Sequence, residues 1–320
     1  MMARLFVVSL LVVLAACGAA PSSGPSPRGG RGHARRVRGE PRVGAYVSSA
    51  WGFSTASYWI EGPTGLVVID TQFLPSAAEE LLDAAERETG KRARLAIVLH
   101  ANPDKYNGAG VMRRRGVRVV SAEQVVRRIP EIDVERRRSF AARYAPDYPE
   151  RLVVPESFGS ATRELEAGGV RLRAHVLGPG CSNAHVVVQW DAPDGARHVF
   201  GGDLLANRTH AWLKEADVDG WLARVAEMQA LSPRFVHPGR GESDGPALLS
   251  RQADYLRFVR ARIAEAEPRL PVDDAVVARI RDAVEARFSG YAFAVFLRIG
   301  LREEYRRAAS VRAGRTTATP

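Results

Sequence analysis

Apolar positions along this chain switch repeatedly between a spacing of two and a spacing of three to four. Ser57-Tyr58-Trp59-Ile60-Glu61 and Gly65-Leu66-Val67-Val68-Ile69-Asp70 read as two strands joined by the turn Gly62-Pro63-Thr64. Ala77, Leu81, Leu82 and Ala85 then fall at helical spacing, which predicts a helix over Ser76–Thr89 stopped by Gly90. A strand over Arg94–Leu99, a short strand over Val117–Val120 and helices over Ala122–Arg128 and Ile132–Tyr144 follow. The next segment predicts strands at Val153–Phe158, Thr162–Glu166, Val170–Val176, Ala184–Trp190 and Arg197–Phe200. A helix over Val218–Leu231 and a strand over Arg234–Val236 come next, and from Pro246 the pattern is helical: Ala247–Ala266, Val272–Arg287 and Tyr291–Ala308. Two successive mixed blocks of strands and helices predict an α/β chain with sheets inside and helices outside. No sequence repeat of fixed short period is present. The apolar run Tyr291–Ile299 reads as a packed helix, not a membrane anchor.

The first residues depart from this pattern. Arg4 precedes an apolar run, Leu5–Leu14, that is too short to span a bilayer comfortably and ends in Leu14-Ala15-Ala16-Cys17. That segment resembles a bacterial lipoprotein signal, which implies cleavage before Cys17 and lipid attachment to its thiol. Residues 18–42 are rich in Pro, Gly, Ser and Arg and read as a flexible tether. The expected organisation is thus a signal over residues 1–17, a tether over 18–42, a domain over 43–245 and a helical extension over 246–320 packed on it. The expected location is the cell envelope, on the periplasmic or extracellular side of a membrane.

Charge adds little to this. The chain carries a formal +10, but 46 basic residues include only Lys91, Lys105 and Lys214 as lysines. The arginines are scattered, and no basic stripe interleaved with aromatics predicts nucleic-acid binding. They fit a solvated surface attracted to a membrane. With Cys17 lipidated, Cys181 is left as a lone thiol, and no disulfide can form within the chain.

Chemistry concentrates in four strand-end segments: His100-Ala101-Asn102-Pro103-Asp104-Lys105, Gly178-Pro179-Gly180-Cys181-Ser182-Asn183-Ala184, Phe200-Gly201-Gly202-Asp203, and Val236-His237-Pro238-Gly239-Arg240-Gly241. Each alone reads as a turn. In this order they resemble the metallo-β-lactamase superfamily over roughly Val43–Gly241. The resemblance implies an αββα sandwich and a two-zinc hydrolase motif of the form His-x-His-x-Asp-His. His100, Asp104 and Asp203 match that pattern. Asn102 stands for the second His, Lys105 for the third, Cys181 for the Pro-Gly-His residue and Arg240 for the last His.

These departures alter the implied chemistry. His100 and Cys181 are good zinc ligands and Asn102 is a poor one. Lys105 and Arg240 carry positive charge and donate hydrogen bonds, so they repel a second metal and pair with Asp104 and Asp203 instead. The implied metal set is His100, Asn102, Asp104, Cys181 and Asp203, holding one zinc ion at most. Asp104, Lys105 and Arg240 are the expected catalytic residues, the two cations stabilising an oxyanion. Cys181 keeps three readings: an inert buried thiol, a metal ligand, or a thiolate nucleophile. His237 is expected at a strand end with a backbone partner, His175 and His185 as structural residues, and Tyr106, Trp212 and Trp51 in core packing. Hydrolysis of an ester, lactone or amide competes with a non-catalytic role, in which the pocket holds a small anionic ligand.

Overall fold

The computed structural model describes residues 30–317. The signal segment, the lipid-attachment candidate Cys17 and the first part of the expected tether lie outside the described residues. The first half forms a seven-stranded sheet. Its elements are β1 (His33–Val37), β2 (Glu40–Val47), β3 (Ala56–Glu61), β4 (Leu66–Ile69), α1 (Pro75–Thr89), β5 (Ala93–Ile97), α2 (Pro103–Tyr106), α3 (Ala109–Arg114), β6 (Arg118–Ser121), α4 (Glu123–Tyr144) and β7 (Glu156–Ser157). The second half adds β8 (Arg163–Ala167), β9 (Val170–Leu177), β10 (His185–Asp191), β11 (Arg197–Ala206), α5 (Val218–Ala230), β12 (Phe235–Arg240), α6 (Ala247–Glu265), α7 (Asp274–Arg287) and α8 (Ala294–Thr317).

Strands β1 to β7 lie in chain order in the first sheet, antiparallel up to β4 and parallel beyond it. The parallel half needs crossover helices, and α1, α3 and α4 supply them. α1 buries Ala77, Ala78, Leu81, Leu82, Ala84 and Ala85, and Gly90 ends it at φ +69°. The second sheet runs β12-β11-β10-β9-β8, with only β11 and β12 parallel. One core lies under both sheets, from Trp59 and Leu81 to Val186 and Phe200. A second lies between the second sheet and helices α5 to α8, around Trp221, Leu256 and Leu297. This is the expected α/β sandwich with helices on its outer faces and a helical C-terminal extension.

Several boundaries differ from expectation, among them β12, expected at Arg234–Val236 and running to Arg240. The first sheet begins at His33, inside the segment expected to be tether, because Arg36 pairs with Glu61 and Glu88 and β1 registers with β2. Two predicted helices fuse into α4 across Pro130, which removes one backbone donor while Ile129, Ile132 and Arg136 keep the helix packed. The strand expected at Val153–Phe158 shrinks to Glu156–Ser157. β11 runs on through Gly201, Gly202 and Asp203, with a register shift there and Gly202 at φ +53°. Among the described residues no helix is long and apolar enough to cross a membrane.

Candidate functional site

The sheets bring strand ends together on one side. Asp70 follows β4, β5 leads into His100–Tyr106, the β9–β10 turn carries Cys181, and β11 and β12 supply Asp203 and Arg240. The backbone N–H of Val186 donates to Leu99 O at 2.7 Å, and the Tyr58 hydroxyl donates to Pro238 O at 2.7 Å, tying one sheet to the other. Gly239 is required here: a Cβ on it would lie 2.1 Å from Asp203 Oδ1.

At the centre is an enclosed ion cluster. Lys105 Nζ lies 2.8 Å from Asp203 Oδ1, 3.0 Å from Asp104 Oδ2 and 3.9 Å from Asp70 Oδ2. Arg240 spans the same two carboxylates, Nη2 at 2.7 Å from Asp104 Oδ2 and Nη1 at 2.7 Å from Asp203 Oδ1. Its Nε donates to Phe53 O at 3.3 Å. Asn102 donates to Asp104 Oδ1 at 2.8 Å, and Thr55 donates to Asp104 Oδ2 at 3.3 Å. Asp70 accepts the Leu99 N–H at 2.9 Å. All three carboxylates and both cations are buried.

Burial pushes every carboxylate here upward, and the cations decide the outcome. Lys105 and Arg240 hold Asp104 below the usual range, and Arg240 with Lys105 and His100 holds Asp203 well below it. For Asp70 burial prevails over the more distant Lys105, the Leu99 N–H and His100, with Asp203 adding to the rise, and it is raised to about 7. Asp104 and Asp203 in turn raise Lys105 and Arg240. Five ionisable groups thus sit in a locked network.

Beside it lies a second group. Donor atoms of His100, Cys181 and His185 all fall within 4.8 Å of one another. Neither ring nitrogen of His100 has a hydrogen-bond partner, and its Nε2 is 3.4 Å from Asp203 Oδ2. Cys181 Sγ is 3.8 Å from His185 Nε2, which also accepts the Ser182 N–H at 3.1 Å. Two imidazoles and a thiol form a chemically suitable set for one zinc ion. The space between Asp104 and Asp203 does not suit a second ion, because Lys105 and Arg240 occupy it.

Outside the cluster is a cleft of about 250 Å³. Phe53, Phe73, Phe140, Trp212 and Phe296 wall it, and Asp104, Asp203 and Arg240 form its floor. Arg136 and Arg143 stand at its side, and Val295 and Ile299 of α8 present exposed side chains there. Arg240 lies over Phe296 at 5.0 Å, and Arg136 over Trp212 at 5.6 Å.

Several residues sit differently from expectation. Asn102 is turned to Asp104 as a hydrogen-bond donor, so it is poorly placed as a ligand. Lys105 is 0% exposed and lies beneath the carboxylates, out of reach of a substrate oxyanion. Arg240 reaches the cleft, but its nitrogens are engaged. His185, expected to be structural, stands next to His100 and Cys181, with ring centroids of the two histidines 5.3 Å apart. The sequence signal was its spacing, four residues after Cys181 on the same turn-and-strand unit. Tyr106 is buried as core, Trp51 packs on Tyr144 at 4.5 Å, and Trp212 faces the cleft. His237 is bonded through its side chain, not to backbone.

The family model described as metallo-beta-lactamase superfamily matches residues 50–240. Among solved structures, a metallo-beta-lactamase from Pontibacter korlensis is similar with a TM-score of 0.56 and 20% identity, covering 71% of this chain and 99% of that one. A metallo-beta-lactamase from Hirschia baltica gives a TM-score of 0.54 and 19% identity, covering 71% and 97% respectively. At these identities the structural likeness is one of fold. No curated protein sequence matches.

Proposed function

Because the chain belongs to the metallo-β-lactamase superfamily, we propose that it is a lipid-anchored protein of the bacterial cell envelope. In this reading the superfamily's hydrolase-like scaffold binds a small amphipathic anion, and protein cations replace the second metal. The carrying observation is Lys105 Nζ, enclosed between Asp203 and Asp104 at 2.8 and 3.0 Å. A divalent ion placed between those carboxylates would meet an ammonium and a guanidinium at contact distance, a repulsion that buried surroundings amplify. The cleft supports the ligand class. Aromatic walls suit an apolar body, and Arg143 beside them suits a carboxylate or similar group, while Arg136 is already paired with Glu135 and Glu215.

A second reading, hydrolysis of an ester, lactone or amide with a single zinc, is favoured by the cluster of His100, Cys181 and His185. Zinc bound there supplies a Lewis acid and a water of lowered pKa. Asp203 Oδ2 lies 3.4 Å from His100 Nε2, and Asp203 also lines the cleft. None of the three donor residues lines the cleft itself, which places this reading second.

One set of measurements separates the two. Bound zinc is determined by elemental analysis, turnover of ester, lactone and β-lactam panels is followed with and without added zinc, and aryl carboxylates are titrated against tryptophan fluorescence. The binding reading expects saturable quenching from Trp212 and no zinc-dependent turnover. Stoichiometric zinc with zinc-dependent turnover establishes the second reading instead, and neither binding nor turnover sinks both. The anchor is tested by mass spectrometry of the mature N-terminus, which should begin at an acylated Cys17; a mature chain that begins elsewhere or lacks acyl groups refutes it.

A further inference from the structure

A separate line of polar side chains runs from a surface loop into the core beneath β11 and β12. Ser243, partly buried in the loop after β12, places its Oγ 2.8 Å from His237 Nδ1. The other nitrogen of that ring, Nε2, lies 3.0 Å from His198 Nδ1. His198 Nε2 faces Glu40 Oε2 at 3.4 Å. His198 and His237 are fully enclosed, and Glu40 is 2% exposed. Glu40 is itself held by Arg42, whose backbone N–H donates at 2.9 Å and whose Nε donates at 3.1 Å.

The direction of every proton in this chain follows from its buried end. His198 Nε2 makes no hydrogen bond, but the Glu40 carboxylate 3.4 Å away favours the proton on that nitrogen, which leaves Nδ1 as the acceptor. His237 must then donate from Nε2, which leaves Nδ1 as the acceptor for the Ser243 hydroxyl. Burial keeps both imidazoles neutral, with His198 pushed down to about 4 and His237 well below the usual range. Their rings are fixed by stacking: Phe235 on His198 at 4.6 Å and Phe200 on His237 at 4.2 Å. Ser243 opens on a cavity of about 490 Å³, lined also by Arg35, Arg36, Arg38 and Arg234. This cavity shares no lining residue with the aromatic cleft.

We propose that Ser243 is the nucleophile of a second, metal-independent acyl-transfer site, with His237 as its general base and His198 and Glu40 as positioning residues. Glu242 and Asp244 share this lining, and Arg35 and Arg36 are already paired with Glu242, Glu61 and Glu88, so Arg38 and Arg234 are the cations that favour an ester bearing a negative charge. Ser243 Oγ bonds to the ester carbonyl carbon while His237 Nδ1 takes its proton. The ester C–O bond then breaks, and His237 returns the proton to the departing alkoxide, leaving acyl-Ser243. Water attacks this ester, passing a proton to His237; release of the carboxylic acid returns that proton to Ser243. No oxidant, metal or co-substrate other than water is consumed.

The test treats the full chain in detergent with a fluorophosphonate probe, in the presence of a metal chelator, and maps the adduct by mass spectrometry. One adduct per chain at Ser243 is expected, absent in Ser243→Ala, a substitution at a partly exposed loop position. Glu40→Gln should slow labelling on the order of a hundredfold, with circular dichroism reporting whether the variant is folded. Because Glu40 is buried, Ser243→Cys provides a second route: its introduced thiol should react with iodoacetamide near neutral pH far faster than Cys181 in the same chain. Wild-type chain that takes up no probe, adducts undiminished in Ser243→Ala, or an introduced thiol in Ser243→Cys as slow as Cys181 overturns the proposal. In turnover, 4-nitrophenyl hemisuccinate should be hydrolysed faster than the neutral acetate; the reverse order overturns the assignment of an anionic ester.

Discussion

Replacing Lys105 by Met removes one charge from the ion cluster and little volume. The side chain is fully enclosed, and it faces Asp203 at 2.8 Å, Asp104 at 3.0 Å and Asp70 at 3.9 Å. At an effective dielectric of about 20, each charge pair at about 4 Å is worth about 4 kcal/mol. Desolvation of the ammonium cancels much of that gain, and Arg240 remains 2.7 Å from two of the carboxylates. The net loss should be that of breaking a buried pair by deleting one partner, about 3–5 kcal/mol. For a chain of 320 residues, at about 2.1 cal/mol/K of unfolding entropy per residue, that is a fall in melting temperature of roughly 4–8 °C. Calorimetry at pH 7.5 measures it. A variant that melts within about a degree of wild type refutes the claim that Lys105 supplies the positive charge this cluster needs.

The same cluster sets the acid limb of stability. Asp104 and Asp203 have folded pKa values held below the unfolded value of about 3.9. Their stabilisation is therefore complete above that value and is lost as pH falls through the folded values. Lys105→Met removes part of the depression, so its acid unfolding midpoint should move to higher pH. Asp70 behaves in the opposite sense. Its folded pKa of about 7 lies above the unfolded value, so the folded state holds the extra proton and wild-type stability falls as pH rises from about 4 to 7. Asp70→Asn, which keeps the acceptor for Leu99 N–H and suits the φ of +62°, should be stabilising at pH 8 by on the order of 1–3 kcal/mol and near neutral at pH 5; urea midpoints at the two pH values check this. Gly108→Ala should be among the most damaging single changes, since its Cβ would lie 1.8 Å from Thr71 O; soluble yield and melting temperature near those of wild type would contradict it. Cys181 is 2% exposed and burial pushes its thiol well above the usual range, so it should resist iodoacetamide at pH 7.5 in the native protein; rapid alkylation there would revive the thiolate-nucleophile reading.

The fold was largely legible because its signals are local. Alternation in Leu66–Ile69, helical spacing in Pro75–Thr89 and the stop at Gly90 each act within a few residues. What was not legible depended on partners distant in sequence. β1 was hidden in an Arg-rich stretch because the carboxylates that order it, Glu61 and Glu88, lie in other elements. Pro130 signalled a break that tertiary packing of Ile129 and Ile132 overrides. The charge pairing of Lys105 and Arg240 with Asp104 and Asp203 followed from residue type once the family resemblance had placed the four positions together. The proximity of His185 to His100 did not, since it depends on how β10 packs against the loop after β5. The partners of His237 were invisible for the same reason: Ser243 is six residues away on a loop, and His198 is on the neighbouring strand.

Asp104 and Asp203 are where the superfamily's motif is least diagnostic in this chain. A pair of buried carboxylates is satisfied equally by a divalent ion or by an ammonium and a guanidinium, since each supplies the missing positive charge. Their presence therefore says nothing about metal. The discriminating positions are 105 and 240, where a neutral imidazole could ligate but Lys and Arg can only donate. Both are donors here, and both reach the same two oxygens, Asp104 Oδ2 and Asp203 Oδ1. A cation carried on the chain cannot be chelated or exchanged, so the geometry of this strand-end cluster is independent of metal supply. Among the described residues, the lone-pair donors grouped for a metal are those of His100, Cys181 and His185, next to Asp203 and outside the lining of the cleft. In the proposed reading a metal at this site would be a single ion, and binding in the cleft would need none.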